Sequence, residues 1–212
     1  MHRLQCLTSH RLKLGIFDQA VAIHASGARW IQLRLKEVSI DAWTGVAKKL
    51  ADFCHRKGVT LVVNDSIEVA LASGAHGVHL GKQDGSLREA RERLGPKAIV
   101  GATVHDEEEA RAAIASGVVD YLGIGPFRRS PTKGDFLPAL RPHALDSLLA
   151  MANRARLPAY VIGGVTPLDV ESLINRGAHG VAVCSDLFAG GKVAKNAKAL
   201  LSACEKALEK AA

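Results

Sequence analysis

Eight short apolar runs recur along this chain, and a stretch with helical spacing follows each of them. The runs lie at 4–8, 30–36, 59–63, 77–80, 98–102, 119–124, 159–162 and 180–183. The helical stretches cover 17–26, 41–57, 66–73, 86–94, 107–116, 143–155, 167–176 and 192–210. No other property limits the fold so tightly. Parallel strands need a crossover, and a helix between every pair supplies it. Eight such units in 212 residues predict an α/β fold, one closed (β/α)8 TIM barrel. It forms a single domain over 1–212 with a terminal helix at about 192–211. A doubly wound open sheet is the rival, but no G-x-G-x-x-G follows the first strand. Punctuation agrees with the barrel. Asp41 and Asp106 are placed to cap helices, Pro167 suits a helix start, and Gly27, Gly58 and Gly95 suit helix ends. A similar turn recurs as Ser73-Gly74-Ala75, Ser116-Gly117-Val118 and Arg176-Gly177-Ala178.

The run at 30–36 carries chemistry as well as fold. Strand alternation puts Ile31, Leu33 and Leu35 on one face and Gln32, Arg34 and Lys36 on the other. At strand rise the polar row is roughly 13 Å long. Two cations and an amide are costly against a core. They suit either a wet edge strand or an anion-binding mouth, and a closed barrel has no edge.

The net charge of +7 favours anionic partners. Nucleic acid is not expected, since the basic residues are dispersed, aromatics make up only 4%, and no nucleic-acid-binding motif occurs. A small phosphorylated substrate fits better. No run approaches the ~18 apolar residues of a membrane span, so no membrane partner is expected. The beginning, Met1-His2-Arg3-Leu4, lacks signal-peptide features. The four cysteines show no metal-type spacing, which predicts reduced thiols in a cytoplasmic protein.

Barrel active sites occupy the C-terminal ends of the strands. Those ends offer Gln32, Arg34 and Lys36, then Asn64 and Asp65, Gln83 and Asp84, Thr103, and Ser130, Thr132 and Lys133. The last two strands end in Gly163-Gly164 and Cys184-Ser185. Asp65 and Asp84 are carboxylates on neighbouring strand ends. They are candidates for Mg²⁺, which takes oxygen ligands and often substrate phosphates; each is equally placed to cap the helix behind it. Gly163-Gly164 stands where many barrels bind phosphate through backbone N–H groups, although such a pair is also an ordinary turn. Arg128-Arg-Ser-Pro-Thr-Lys133-Gly134 lies in the longest connection, 127–141, as a basic phosphate-capturing loop or a solvated one. His79 and His105 lie near strand ends as further candidates, whereas His76 and His179 occupy equivalent turns and read as structural.

Taken in order, several motifs carry a resemblance. They are Gln32-Leu-Arg34-Leu-Lys36, Val63-Asn-Asp65, Gly77-Val-His-Leu-Gly-Lys-Gln-Asp84, Gly101-Ala-Thr103-Val-His105, Asp120-Tyr-Leu-Gly-Ile-Gly-Pro-Phe127, Thr132-Lys133, Ile162-Gly-Gly164 and Val181-Ala-Val-Cys-Ser185. From about residue 4 to residue 190 the chain resembles the thiamine phosphate synthases. The resemblance implies coupling of hydroxymethylpyrimidine diphosphate to hydroxyethylthiazole phosphate, with release of pyrophosphate by dissociative substitution. It further implies Mg²⁺ held by Asp65 and Asp84. The pyrimidine diphosphate would be held by Gln32, Arg34, Lys36, Asn64, Thr103 and Lys133, of which Arg34, Lys36, Thr103 and Lys133 would serve the chemistry. Ser130, Thr132, Gly163, Gly164, Cys184 and Ser185 would contact the thiazole phosphate. A homo-oligomer is compatible with this reading. The chain departs from the family in having Thr103 where Ser is usual, Arg-Ser-Pro-Thr-Lys in the loop, Leu140-Arg141 where Gly-Leu is common, and Cys184 before Ser185. The related thiazole tautomerases are the alternative. Their reaction needs neither diphosphate nor Mg²⁺, so the retained Arg34, Lys36, Asp65, Asp84 and Lys133 argue for the synthase, while His105 as a proton shuttle argues for the tautomerase. A silent phosphate-binding barrel would not need the two carboxylates.

Overall fold

The computed structural model describes residues 1–128 and 138–211. The eight strands are β1 (Leu4–Leu7), β2 (Trp30–Leu33), β3 (Thr60–Asn64), β4 (Gly77–Leu80), β5 (Ile99–Val104), β6 (Tyr121–Ile124), β7 (Ala159–Ile162) and β8 (Gly180–Val183). They pair in parallel in sequence order, and β8 returns to β1, closing the barrel. The helices are α1 (Ile16–Ala25), α2 (Ile40–Lys57), α3 (Ile67–Ser73), α4 (Leu87–Leu94), α5 (Glu107–Ser116), α6 (Pro142–Arg154), α7 (Val170–Asn175) and α8 (Val193–Ala211).

Short apolar strands form because both of their faces are covered. One face meets the helices: Ile31, Leu33, Leu61, Val63, Val78 and Leu80 are almost wholly buried there. Each large aliphatic side chain so buried contributes roughly 1.5–3 kcal/mol. The other face fills the barrel with Leu7, Trp30, Val62, Tyr121, Tyr160 and Ala182. Trp30, Tyr121 and Tyr160 meet edge to face with ring centroids 5.0, 5.0 and 5.5 Å apart. The barrel interior is therefore a packed plug.

Several boundaries differ from expectation. The ladder of β2 ends at Leu33, so of the polar row only Gln32 lies on the strand. The cause is Thr8. Its hydroxyl accepts from the Arg34 N–H at 3.0 Å and donates to the Arg34 carbonyl at 3.3 Å. A side chain thus takes both groups of residue 34 that a neighbouring strand would have used. Helix α2 is capped by Ser39, whose hydroxyl accepts from the Ala42 N–H, while Asp41 lies in its first turn. Asp106 does cap α5. The helix expected over 167–176 begins as a 3-10 turn, Pro167–Asp169, before α7. A further 3-10 segment, Ser185–Gly191, precedes α8.

Candidate functional site

The C-terminal mouth gathers groups from six consecutive strand ends and from β8. Beyond β2, the doubly held backbone of Arg34 keeps that residue over the mouth. Its side chain is close enough to Cys184, across β1, to oppose the effect of burial, which pushes the Cys184 thiol up to about 11. Arg34 also lies by His10. There burial first, and then the charges of Arg34, Arg11 and Lys36 against that of Glu37, lower the imidazole. Both His10 ring nitrogens are buried without a hydrogen-bond partner among the described residues. Sequence reasoning passed over His10, because a lone histidine in the loop after β1 matches no motif.

Lys36 forms an ion pair with Asp65. The two alternatives for the carboxylates are separated here. Ser66, not Asp65, caps α3 by accepting from the Val69 N–H, and Ser86, not Asp84, caps α4 by accepting from the Glu89 N–H. Both aspartates are left free of capping. Asp65 adopts a left-handed backbone, φ 71°, and donates its N–H to the His79 carbonyl at 2.8 Å. A left-handed conformation in a non-glycine residue turns the chain sharply at the strand end. Asp84 accepts from the Gly81 N–H at 2.8 Å and also meets the Asp65 carboxyl. Burial and then the adjacent Asp65 raise the Asp84 carboxyl above its ordinary value, against the opposing Gly81 N–H and Lys36. A carboxylate pair with a raised acid is a place where positive charge is favoured. Among the described residues no three His, Cys, Asp or Glu side chains cluster as a complete metal site.

Asn64 closes β3 next to His79 in register and is nearly buried. Thr103 is half-buried near the end of β5, and its hydroxyl meets His79 Nε2 at 2.8 Å. His105 is drawn aside. Its Nδ1 meets Glu109 at 2.9 Å, and Lys82 reaches the same carboxylate at 3.3 Å. His76 accepts from the Leu61 N–H, and His179 Nδ1 accepts from the Arg3 guanidinium.

On the far side of the mouth, the chain leaving β6 is stitched to the Gly163-Gly164 turn. Phe127 N–H donates to the Ile162 carbonyl and Arg128 N–H to the Gly163 carbonyl, each at 2.8 Å. A Cβ at Gly163 would stand 2.8 Å from Pro126 Cβ, and φ there is +100°. Only glycine fits both the conformation and the close approach. Arg128 stacks on Phe127 with its guanidinium carbon 4.6 Å from the ring centroid, donates to the Gly164 carbonyl, and forms a two-pronged bond to Asp169 at 2.6 and 2.5 Å. Asp169 in turn accepts from the Thr166 N–H and hydroxyl. The Thr166–Asp169 capping spacing is the one sequence signal that could have marked this support. Cys184 and Ser185 lie at the end of β8, where Cys184 Sγ is 3.9 Å from the Thr8 carbonyl. Ser130, Thr132 and Lys133 lie outside the described residues.

A closed (β/α)8 barrel that collects cations, a carboxylate pair and a glycine turn at one mouth has the architecture of a barrel enzyme. Comparison with known proteins gives the family. The model of the thiamine monophosphate synthase family matches residues 6–187, and the chain belongs to that family, whose members are transferases. A thiamine-phosphate synthase of Bacteroides fragilis is 34% identical over 204 residues, covering 95% of this chain and all of the relative. One from Azorhizobium caulinodans is 37% identical over 199 residues, covering 94% of this chain and 91% of the relative. Among solved structures, thiamine phosphate pyrophosphorylase from Pyrococcus furiosus superposes with a TM-score of 0.85 at 28% identity, covering 97% of this chain and 96% of that one.

Proposed function

We propose that the chain is a Mg²⁺-dependent thiamine-phosphate synthase. It would join hydroxymethylpyrimidine diphosphate to hydroxyethylthiazole phosphate and release pyrophosphate. The observation that carries this reading is the Asp65–Asp84 pair, freed from capping and set beside Lys36 on this family's barrel. Two neighbouring carboxylates suit Mg²⁺, which keeps several waters and takes phosphate oxygens as its remaining ligands. The small donor set is therefore a fit. Bound there, Mg²⁺ would supply neutralising charge to a diphosphate.

The reaction is a substitution at the pyrimidine methylene carbon. The C–O bond to the diphosphate breaks, and pyrophosphate leaves with the electron pair. The thiazole nitrogen then donates its lone pair to the carbocation, forming the C–N bond. No proton need move, so the protein needs charge stabilisation and orientation rather than a general base. Arg34 and Lys36 stabilise the departing pyrophosphate, with Lys133 from the connection after β6. Gln32, Asn64 and Thr103 hold the pyrimidine diphosphate. Ser130, Thr132, Gly163, Gly164, Cys184 and Ser185 hold the thiazole phosphate. No helix among the described residues is long and apolar enough to cross a membrane, and we place the activity in the cytoplasm. The test is to incubate the protein with both substrates and Mg²⁺ and look for thiamine phosphate. Tautomerase activity without coupling would overturn the proposal.

A further inference from the structure

Five strands contribute to one buried chain of hydrogen bonds that runs from the packed interior to the mouth. Gln32 Nε2 donates to Gln5 Oε1 at 3.2 Å, and Gln5 Nε2 donates to the Tyr121 hydroxyl at 3.0 Å. Gln32 also lies near that hydroxyl and, after Gln5, opposes the effect of burial on it. Tyr121 Oη meets His79 Nδ1 at 2.8 Å, and His79 Nε2 meets Thr103 Oγ1 at 2.8 Å. Gln5, Gln32, Tyr121 and His79 are all at least 94% buried by relative exposures of 1%, 2%, 0% and 6%. The space is made to measure. A Cβ at Gly101 would fall 2.2 Å from Tyr121 Cζ and 2.5 Å from His79 Nδ1, and one at Gly123 would fall 3.0 Å from His79 Cε1. The imidazole and phenol rings stack with centroids 5.2 Å apart.

The direction of the chain follows from counting donors. A phenol oxygen has two lone pairs and one proton. Tyr121 accepts from Gln5, and the acceptor in hydrogen-bond contact with its hydroxyl among the described residues is His79 Nδ1, so its proton goes there. Burial keeps this phenol neutral and its proton in place. The imidazole proton must then sit on Nε2, where it is given to Thr103 Oγ1. With a lone pair of Thr103 so occupied, its hydroxyl proton turns away from His79 and toward the mouth.

We propose that Gln5, Gln32, Tyr121 and His79 form a positioning relay that holds Thr103 as a hydrogen-bond donor to an oxyanion of the diphosphate. The inference rests on the synthase reading for the identity of the anion, but the relay itself does not. A threonine hydroxyl free to rotate presents its lone pairs to an anion as readily as its proton; the relay removes the repulsive orientation in advance.

Two measurements test it. ¹⁵N NMR of the imidazole in the resting protein should show His79 as the neutral Nε2–H tautomer, with a pyridine-like Nδ1. The Nδ1–H tautomer would overturn the relay, because Thr103 would then have to donate to His79 instead of to the site. Calorimetry of pyrophosphate with Mg²⁺ on the wild type, Tyr121→Phe, Thr103→Ala and the double variant supplies the second test. Each single change should weaken binding about tenfold, and the double should match Thr103→Ala within about twofold, because Tyr121 acts only through Thr103. Additive losses would overturn the relay and mark Tyr121 as a packing residue. A wild type with the Nε2–H tautomer that binds no pyrophosphate would overturn the assigned anion and the synthase reading while leaving the relay standing. The NMR measurement needs no variant, so a misfolded Tyr121→Phe would not remove the test.

Discussion

Replacing Asp84 with Asn should make the metal-free protein more stable and the enzyme far slower. Asn keeps an oxygen for the Gly81 N–H, which Asp84 now accepts at 2.8 Å, so the local turn survives. What disappears is the repulsion between Asp84 and Asp65. Two unit charges about 4 Å apart repel by roughly 4 kcal/mol at an effective dielectric of 20. Lys36, paired with Asp65, and solvent at the open mouth reduce this to roughly 1 kcal/mol. For a chain of this size 1 kcal/mol moves the melting temperature by roughly 2–4 °C. The variant should therefore melt about 2–4 °C higher in EDTA. Mg²⁺ at about a hundred times its Kd should stabilise the wild type by roughly 2.7 kcal/mol and the variant far less. Turnover at low Mg²⁺ should drop at least 100-fold, roughly 2.7 kcal/mol in the barrier. The pH dependence has a definite sign. The Asp84 carboxyl is raised in the folded protein, so the native state binds more protons than the unfolded chain in the window between the ordinary aspartate value and the raised one. Metal-free stability should fall as pH rises through that window, and the fall should be absent in Asp84→Asn. Differential scanning fluorimetry across pH, with EDTA and with Mg²⁺, reads all of this. A variant that melts below the wild type in EDTA, or gains as much from Mg²⁺, would refute the carboxylate-pair argument.

Three other outcomes follow from the geometry. Gly163→Ala should cost roughly 1–3 kcal/mol, from the positive φ and the approach to Pro126, and raise the KM for the thiazole phosphate; denaturant unfolding with steady-state kinetics would check both. Ser66→Ala should lower stability by about 1 kcal/mol through loss of the α3 cap while leaving the Mg²⁺ dependence of turnover unchanged, whereas Asp65→Asn, a residue that tolerates the left-handed backbone there, should alter that Mg²⁺ dependence while leaving the cap in place. Burial would raise the Asp169 carboxyl, but Arg128 and Thr166 hold it below its ordinary value, so its contribution is present above that value and lost as pH falls through the depressed one. Acid titration of Asp169→Asn should lack that component of the stability loss.

The barrel could be read from the sequence because its evidence is local. Each apolar run, each helix and each glycine stop lies within one unit, and alternation alone dictates parallel pairing. The misplacements have local causes that periodicity does not register. The polar row appeared to continue to Lys36, since side-chain alternation does, but the ladder stops where the Thr8 hydroxyl captures residue 34. Ser39 and Asp41 are both competent caps, and only the path of the incoming chain, with Glu37 at φ 62°, decides between them. The candidate site was half visible in the same way. Polar residues at strand ends stood out; their supports did not. Arg128 and Asp169 are 41 residues apart, and the Gln32, Gln5, Tyr121, His79 and Thr103 chain draws on five strands. Such partners meet only through barrel closure.

The aromatic plug of Trp30, Tyr121 and Tyr160 has a consequence for traffic. It makes the mouth a cul-de-sac, with one doorway for everything that enters or leaves. Whatever binds at the mouth therefore arrives and departs on the same side, and nothing passes through the barrel floor.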